Sequence, residues 1–192
     1  MPLAGTPGPP PTLLESLVPL YHAAFHPVGV AVAEIVTLPG QAVVSFVLVL
    51  TAAAALWGRG RQAAALAWPV VWLFAVAVEV AFRQTLTRPP VYRHGVHLVA
   101  FDSSWPSGHA LRSAIAVVAL AVAWPRLRLL LGTWLVAVAV LLEVAGFHTP
   151  TDIAGGFLVA TIAAVGTLEV EKSALLRSAG APLGRARPRA GA

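Results

Sequence analysis

Apolar residues fall along this chain in long, nearly unbroken runs separated by short polar or basic breaks. The runs cover residues 40–57, 63–82, 108–124, 129–147 and 153–169. Each approaches the roughly 20 residues that cross a bilayer core, and the shorter ones rely on tilt or on their flanks. Ahead of them, residues 13–36 are apolar but interrupted by Glu15, Pro19, His22, His26, Pro27 and Glu34, which reads as one or two amphipathic or interfacial helices. Leu38-Pro39-Gly40 breaks the pattern before the first long run. The opening MPLAGTPGPPPT is rich in proline and glycine and lacks the basic start of a secretory signal, so residues 1–12 are expected to be a disordered lead-in. The pattern predicts an all-α integral membrane protein: a helical bundle of about five transmembrane helices plus an N-terminal interfacial helix. Residues 13–170 form the membrane-embedded part, and 171–192 form a basic tail.

Composition narrows this further. The chain is 58% hydrophobic and only 11% charged, with mean hydropathy +0.79. A soluble domain averages about 25% charged residues and could not hide so much Ala, Val and Leu. There is no cysteine, which excludes disulfides and thiolate metal sites. The net charge of +5 does not point to nucleic acid, because the basic residues sit between apolar runs rather than along one soluble face. Gly58-Arg59-Gly60-Arg61, Pro125-Arg126-Leu127-Arg128 and the tail with Lys172, Arg177, Arg185, Arg187 and Arg189 fall on one side of five spans. The positive-inside rule makes that side, and the C-terminus, cytoplasmic in a multi-pass protein of the cell membrane. Trp57, Trp105 and Trp124 stand at expected span ends, as interfacial aromatics do.

The opposite, extracytoplasmic side receives segments 83–107 and 148–152. Arg83, Arg88 and Arg93 there run against the charge bias, which requires a local reason such as an anion to bind. Both segments end at a helix start, Pro106-Ser107-Gly108-His109 in one and His148-Thr149-Pro150-Thr151-Asp152 in the other. A helix N-terminus offers unpaired N–H groups and partial positive charge to a phosphate. Gly108 lets an anion approach the backbone, and Ser107 can donate a hydroxyl. Arg112 lies one turn beyond His109 on the same helix face. A guanidinium at that depth needs a partner or a wet cavity, and it suits a phosphate bidentately. A plain helix cap explains Ser107 but not His109 and Arg112 together. In the second segment Thr149, Pro150 and Asp152 make a capping box in their own right. Glu79 stands four residues before Arg83, and Glu143 five before His148; both are read as partners that keep Arg83 or Arg112 placed.

With His148-x-x-x-Asp152 and Gly155-Gly156 about forty residues after Pro106-Ser107-Gly108-His109, the chain resembles the type-2 phosphatidic acid phosphatase superfamily. These are integral-membrane lipid phosphate phosphatases related to vanadium haloperoxidases, and the likeness runs over roughly residues 30 to 170. It departs from the family in two places. In the first motif Arg83 stands in the lysine's place, Pro90 falls where the arginine is expected, and Arg88 is offered from a neighbouring position. In the third motif the Ser-Arg pair falls on Leu141-Leu142. Arg112 is the candidate to replace that missing charge, and Arg112→Ala is expected to abolish activity in a folded protein.

The resemblance implies that His148 attacks phosphorus and forms a phosphohistidine, that Asp152 holds and polarises its imidazole, and that His109 protonates the leaving group. Arg83, Arg88, Ser107, Gly108 and Arg112 would bind the phosphate. No metal and no cofactor is called for. His94, His97, His109 and His148 on one face could instead hold zinc, but arginine-rich surroundings favour an anion over a cation. The implied partners are the bilayer and a phosphorylated lipid such as undecaprenyl pyrophosphate, phosphatidylglycerol phosphate or phosphatidic acid, hydrolysed at the outer leaflet. Other readings are a degenerate protein of the same fold that only binds lipid phosphate, an intramembrane serine protease using Ser107, and, with little support from five spans without repeats, a transporter.

Overall fold

The computed structural model describes residues 28–86, 92–93, 96–97, 105–145 and 147–179. The expected lead-in 1–12, residues 13–27, Arg88 and the tail beyond residue 179 lie outside them. Five long helices fall on the five apolar runs: α2 (Ala42–Gly58), α3 (Gln62–Thr85), α4 (Gly108–Ala123), α5 (Arg128–Val144) and α6 (Pro150–Ala179). A shorter helix, α1 (Val28–Thr37), precedes them. The chain is a helical membrane protein. Within the segment expected to be one long loop, a two-residue strand β1 (Tyr92–Arg93) pairs antiparallel with β2 (Val96–His97).

Of the N-terminal helical segment expected over residues 13–36, only the part from Val28 on lies among the described residues. Leu38–Gly40 forms a single 3-10 turn with Pro39 in it, and the helices on either side meet at a bend of 46°. From Val28 on, this helix is the outer arm of a bent pair packed into the bundle. The Trp134 indole of α5 donates to the Val36 carbonyl at 3.1 Å, and Val36 packs against the apolar group formed by Ala110, Val138, Leu142 and Ile153.

Three helical stretches are long and apolar enough to cross a bilayer: Gln62–Thr85, Pro125–Val144 and Pro150–Ser173. The bent pair makes a fourth if it is one span. The fifth expected span, α4, has 16 residues and is about 24 Å long at 1.5 Å per residue, short of a bilayer core. It is the central helix. Eleven of its residues are buried, on every side, because α2, α3, α5 and α6 surround it.

The packing is that of a protein in lipid. Small residues fill the contacts between helices: Ala52, Ala64, Ala75, Ala116, Ala119 and Ala160 are buried around Trp68, Leu56 and Ile115. Large apolar residues such as Val43, Val70, Phe74, Leu129 and Ile162 face outward. The two ends of the bundle have different chemistry. At one end Gly60 closes the α2–α3 turn at φ 76°, Arg59 donates to the Ala123 carbonyl and lies 5.8 Å from the Trp124 ring, and Arg61 donates to Glu171 at 2.6 Å. The other end holds the last turns of α3 and the first turns of α4 and α6. Every described candidate site residue lies there.

Candidate active site

The site begins with two helix starts held side by side. Ser107 is the N-cap of α4, its Oγ accepting from the Ala110 amide at 3.3 Å. The Ser107 amide donates in turn to the Asp152 carbonyl in the first turn of α6, at 2.9 Å. Such close approach requires a glycine opposite: a Cβ at Gly156 would stand 2.6 Å from the Ser107 carbonyl oxygen and 3.0 Å from the Leu111 nitrogen. Gly155 is similarly tight, against the Trp105 indole, whose ring also packs edge-on to Phe82 with centroids 4.9 Å apart. This stitching brings the His109 and His148 rings to 6.3 Å between centroids, tilted by 52°.

The start of α6 is the capping box that its sequence predicts. The Thr149 amide donates to Asp152 Oδ2 at 3.0 Å, the Thr149 hydroxyl donates to the same oxygen at 2.9 Å, and the Asp152 amide donates to Thr149 Oγ1 at 3.4 Å. His148 immediately precedes this cap. Its amide donates to the Leu142 carbonyl at 3.1 Å, and its side chain is only 3% exposed. Its Nδ1 is buried without a hydrogen-bond partner, so the hydrogen bond from Nδ1 to a carboxylate that a triad would make is absent here. Asp152 acts on the ring through its charge. Burial pushes the His148 pKa down to about 4; Asp152 opposes the shift, while His109, Arg83 and Arg112 add to it.

Charge converges on the same end from α3 and α4. Glu79, in α3, is 2% exposed. Arg112 Nη1 donates to Glu79 Oε2 at 2.5 Å, and Arg112 Nε donates to the Gly40 carbonyl at 2.8 Å. Arg83 Nη2 reaches Glu79 Oε1 at 3.1 Å. Glu79 therefore bridges both arginines. Gly108 has a specific reason to be glycine: a Cβ there would land on the Glu79 carboxylate and stand 2.6 Å from Arg112 Nη1. The group pressed against this helix start is thus a carboxylate of the protein itself.

Ser107, Gly108, His109, Arg112, His148 and Asp152 share this end of the bundle with Arg83. Arg88 lies outside the described residues, as does His94. The expected partnership of Glu79 with arginine is present on both sides. Glu143 differs: it is half-buried on α5 and forms no ion pair among the described residues. Leu142, where the family arginine would fall, is 1% exposed within the apolar group of Ala110, Val138 and Ile153, a setting that would leave a guanidinium unpaired. Sequence reasoning missed the Gly40 carbonyl as an acceptor for Arg112; the helix break at Pro39-Gly40 was its only trace. Among the described residues no group of three histidines or carboxylates is disposed to hold a metal ion.

Residues 80–174 match the family model described as the PAP2 superfamily. The matched stretch runs from the end of α3 into the later turns of α6 and contains the paired helix starts, both histidines, Asp152, Arg83 and Arg112. No curated protein and no solved structure matches the chain.

Proposed function

Residues 80–174 belong to the PAP2 superfamily, and on that footing we propose that this membrane phosphatase hydrolyses the phosphomonoester or diphosphate of a membrane lipid through a phosphohistidine. The family gives phosphatase chemistry on phosphate esters; the lipid substrate is inferred from the apolar bundle around the site, and the covalent step is what the family resemblance implies. One observation carries the inference. Two abutting helix starts hold His109 and His148 6.3 Å apart, within reach of the charges of Arg83 and Arg112, at the end of a bundle whose outer surface is apolar. Phosphoryl transfer asks mainly for positioning and for neutralisation of the equatorial oxygens, and these groups supply both.

In the proposed cycle the neutral His148 imidazole attacks phosphorus, and the bond from phosphorus to the lipid oxygen breaks. With the negative charge of the phosphate bound beside it, His109 takes up a proton, and as the imidazolium it gives that proton to the departing oxygen. Water then attacks the phosphohistidine, His109 takes up the water proton, and inorganic phosphate leaves. Arg83, Arg112, the Ser107 hydroxyl and the Gly108 amide, with Arg88 from the neighbouring segment, hold the phosphate. The lipid tail stays in hydrocarbon along the apolar outer face of the bundle. Undecaprenyl pyrophosphate, phosphatidylglycerol phosphate and phosphatidic acid all meet this chemistry. The basic loops at the far end support a reading in which the site is extracytoplasmic and the C-terminus cytoplasmic.

The test is phosphate release from lipid phosphates in detergent micelles containing EDTA, with His148→Ala as control. Release by the wild type and none by the variant is expected. A second reading has its own support: Leu142 sits in an apolar setting where the family has arginine, and Asp152 serves a cap. That reading is a protein that binds lipid phosphate without cleaving it. Binding without release in the same assay would establish it.

A further inference from the structure

Glu79 is a charged residue at this site that the proposed reaction does not use. Its carboxylate is buried, bridges Arg83 and Arg112, and lies against Gly108 at the start of α4. Those are the cations and the helix end to which a phosphate would be assigned. An anion entering the site therefore meets one already there.

We propose that Glu79 is a specificity-determining residue: its carboxylate occupies the anion position between Arg83, Arg112 and the start of α4, and yields it only to a ligand carrying two negative charges. The inference rests on the phosphatase reading for what the site binds. Two guanidiniums and one carboxylate leave a net charge of +1. A phosphodiester, with one negative charge, gains nothing over the carboxylate it must displace and is repelled by it. A phosphomonoester brings about two negative charges at neutral pH, and a diphosphate at least as many, so either outbids the single charge of Glu79 for Arg83.

The device has a clear use. The bilayer around the site is built of phosphodiester headgroups at concentrations no rare lipid monoester can match. Arginines with no counter-anion would hold those diesters and block the site. A resident carboxylate keeps diesters out by like-charge repulsion, the repulsive half of specificity. Arg83 is the mobile partner in this exchange, with 39% of its side chain exposed, whereas Arg112 is anchored to the Gly40 carbonyl. On phosphate entry Arg83 swings from Glu79 to the ligand, while Glu79 retains Arg112.

The experiment compares two soluble probes, methyl phosphate and dimethyl phosphate, titrated calorimetrically into the full-length protein in uncharged micelles at pH 8. Phosphate release from a lipid monoester is measured in parallel. Wild type is expected to bind methyl phosphate on the order of tenfold or more tighter than dimethyl phosphate. In Glu79→Gln, whose amide oxygen still accepts from Arg112, that ratio is expected to collapse toward one, with dimethyl phosphate binding tightened. In Glu79→Asp, which keeps the charge, it is expected to survive. A merely structural Glu79 would weaken both probes alike and leave the ratio standing.

An unchanged ratio in Glu79→Gln, a lost ratio in Glu79→Asp, or equal binding of both probes by wild type overturns the inference. If Glu79→Gln does not fold, a ratio lost in Glu79→Asp or absent in wild type still overturns the inference. Discrimination without phosphate release would overturn the phosphatase reading alone. Release without Glu79-dependent discrimination would overturn this inference alone, and binding of neither probe would overturn both.

Discussion

Arg112 carries two obligations, and they pull its variants apart. It stands ready for a phosphate, and it also neutralises a buried carboxylate while donating to the Gly40 carbonyl. The expectation that Arg112→Ala leaves the fold intact therefore gives way: removing one partner of a buried pair strands the other, at about 3–5 kcal/mol. Arg112→Lys separates the roles, because an ammonium can still face Glu79 but lacks the planar fork that grips a phosphate. It is expected to lose on the order of a hundredfold in kcat/KM with a near-normal melting temperature, while Arg112→Ala melts well below wild type. Equal activity in Arg112→Lys would remove Arg112 from the phosphate site.

At the same scale His148 makes a pH prediction. Its pKa is lowered to about 4, chiefly by burial, so the ring is neutral, and nucleophilic, throughout the range in which an ordinary histidine of pKa about 6.5 takes up a proton. Its carbon resonances in labelled protein should titrate near 4. The depressed value also has a stability sign: between about 6.5 and 4 the unfolded chain binds the proton more readily, so acidification through that window destabilises the fold. A midpoint near 6.5 would mean that the pocket is wetter than its burial implies.

Among the elements, α4 decides the geometry, and Gly156 of α6 decides how close the two helix starts come. Atoms that would meet a Cβ at Gly156 are backbone atoms, Ser107 O and Leu111 N, which cannot swing aside. Gly156→Ala is expected to cost about 1–3 kcal/mol and to lower kcat, because the His109–His148 spacing depends on that contact. A melting curve and a rate measurement on the variant check both; wild-type values would show that the helix starts are not held together there. The five helices were legible as apolar runs, and Ser107 and Thr149 as caps. The centrality of α4 was not, because an interior helix and a lipid-facing one are both apolar all round. The break at Leu38-Pro39-Gly40 was legible, but not that it puts the Gly40 carbonyl in the Arg112 site. That is a long-range contact with no local periodicity to announce it.

Taken whole, the molecule separates its tasks by end. Arg59 and Arg61 close one end with the last turns of α4 and α6, and the paired helix starts make the other. Charge placement set the two ends apart in the sequence, and arginines in a loop contrary to the orienting bias gave the reason to look for an anion site at one of them. The bridging of Arg83 and Arg112 by one carboxylate was less so, because spacing along α3 predicts the Arg83 pair while only the fold brings Arg112 to the same oxygens. The central claim is that this end forms a covalent bond to phosphorus. The most direct measurement is an alkaline quench of the full-length enzyme during turnover of a lipid with a radiolabelled terminal phosphate. The account predicts an acid-labile, base-stable label on His148, present in wild type and absent in His148→Ala. Phosphate release without any label on His148, or release undiminished in His148→Ala, would contradict it.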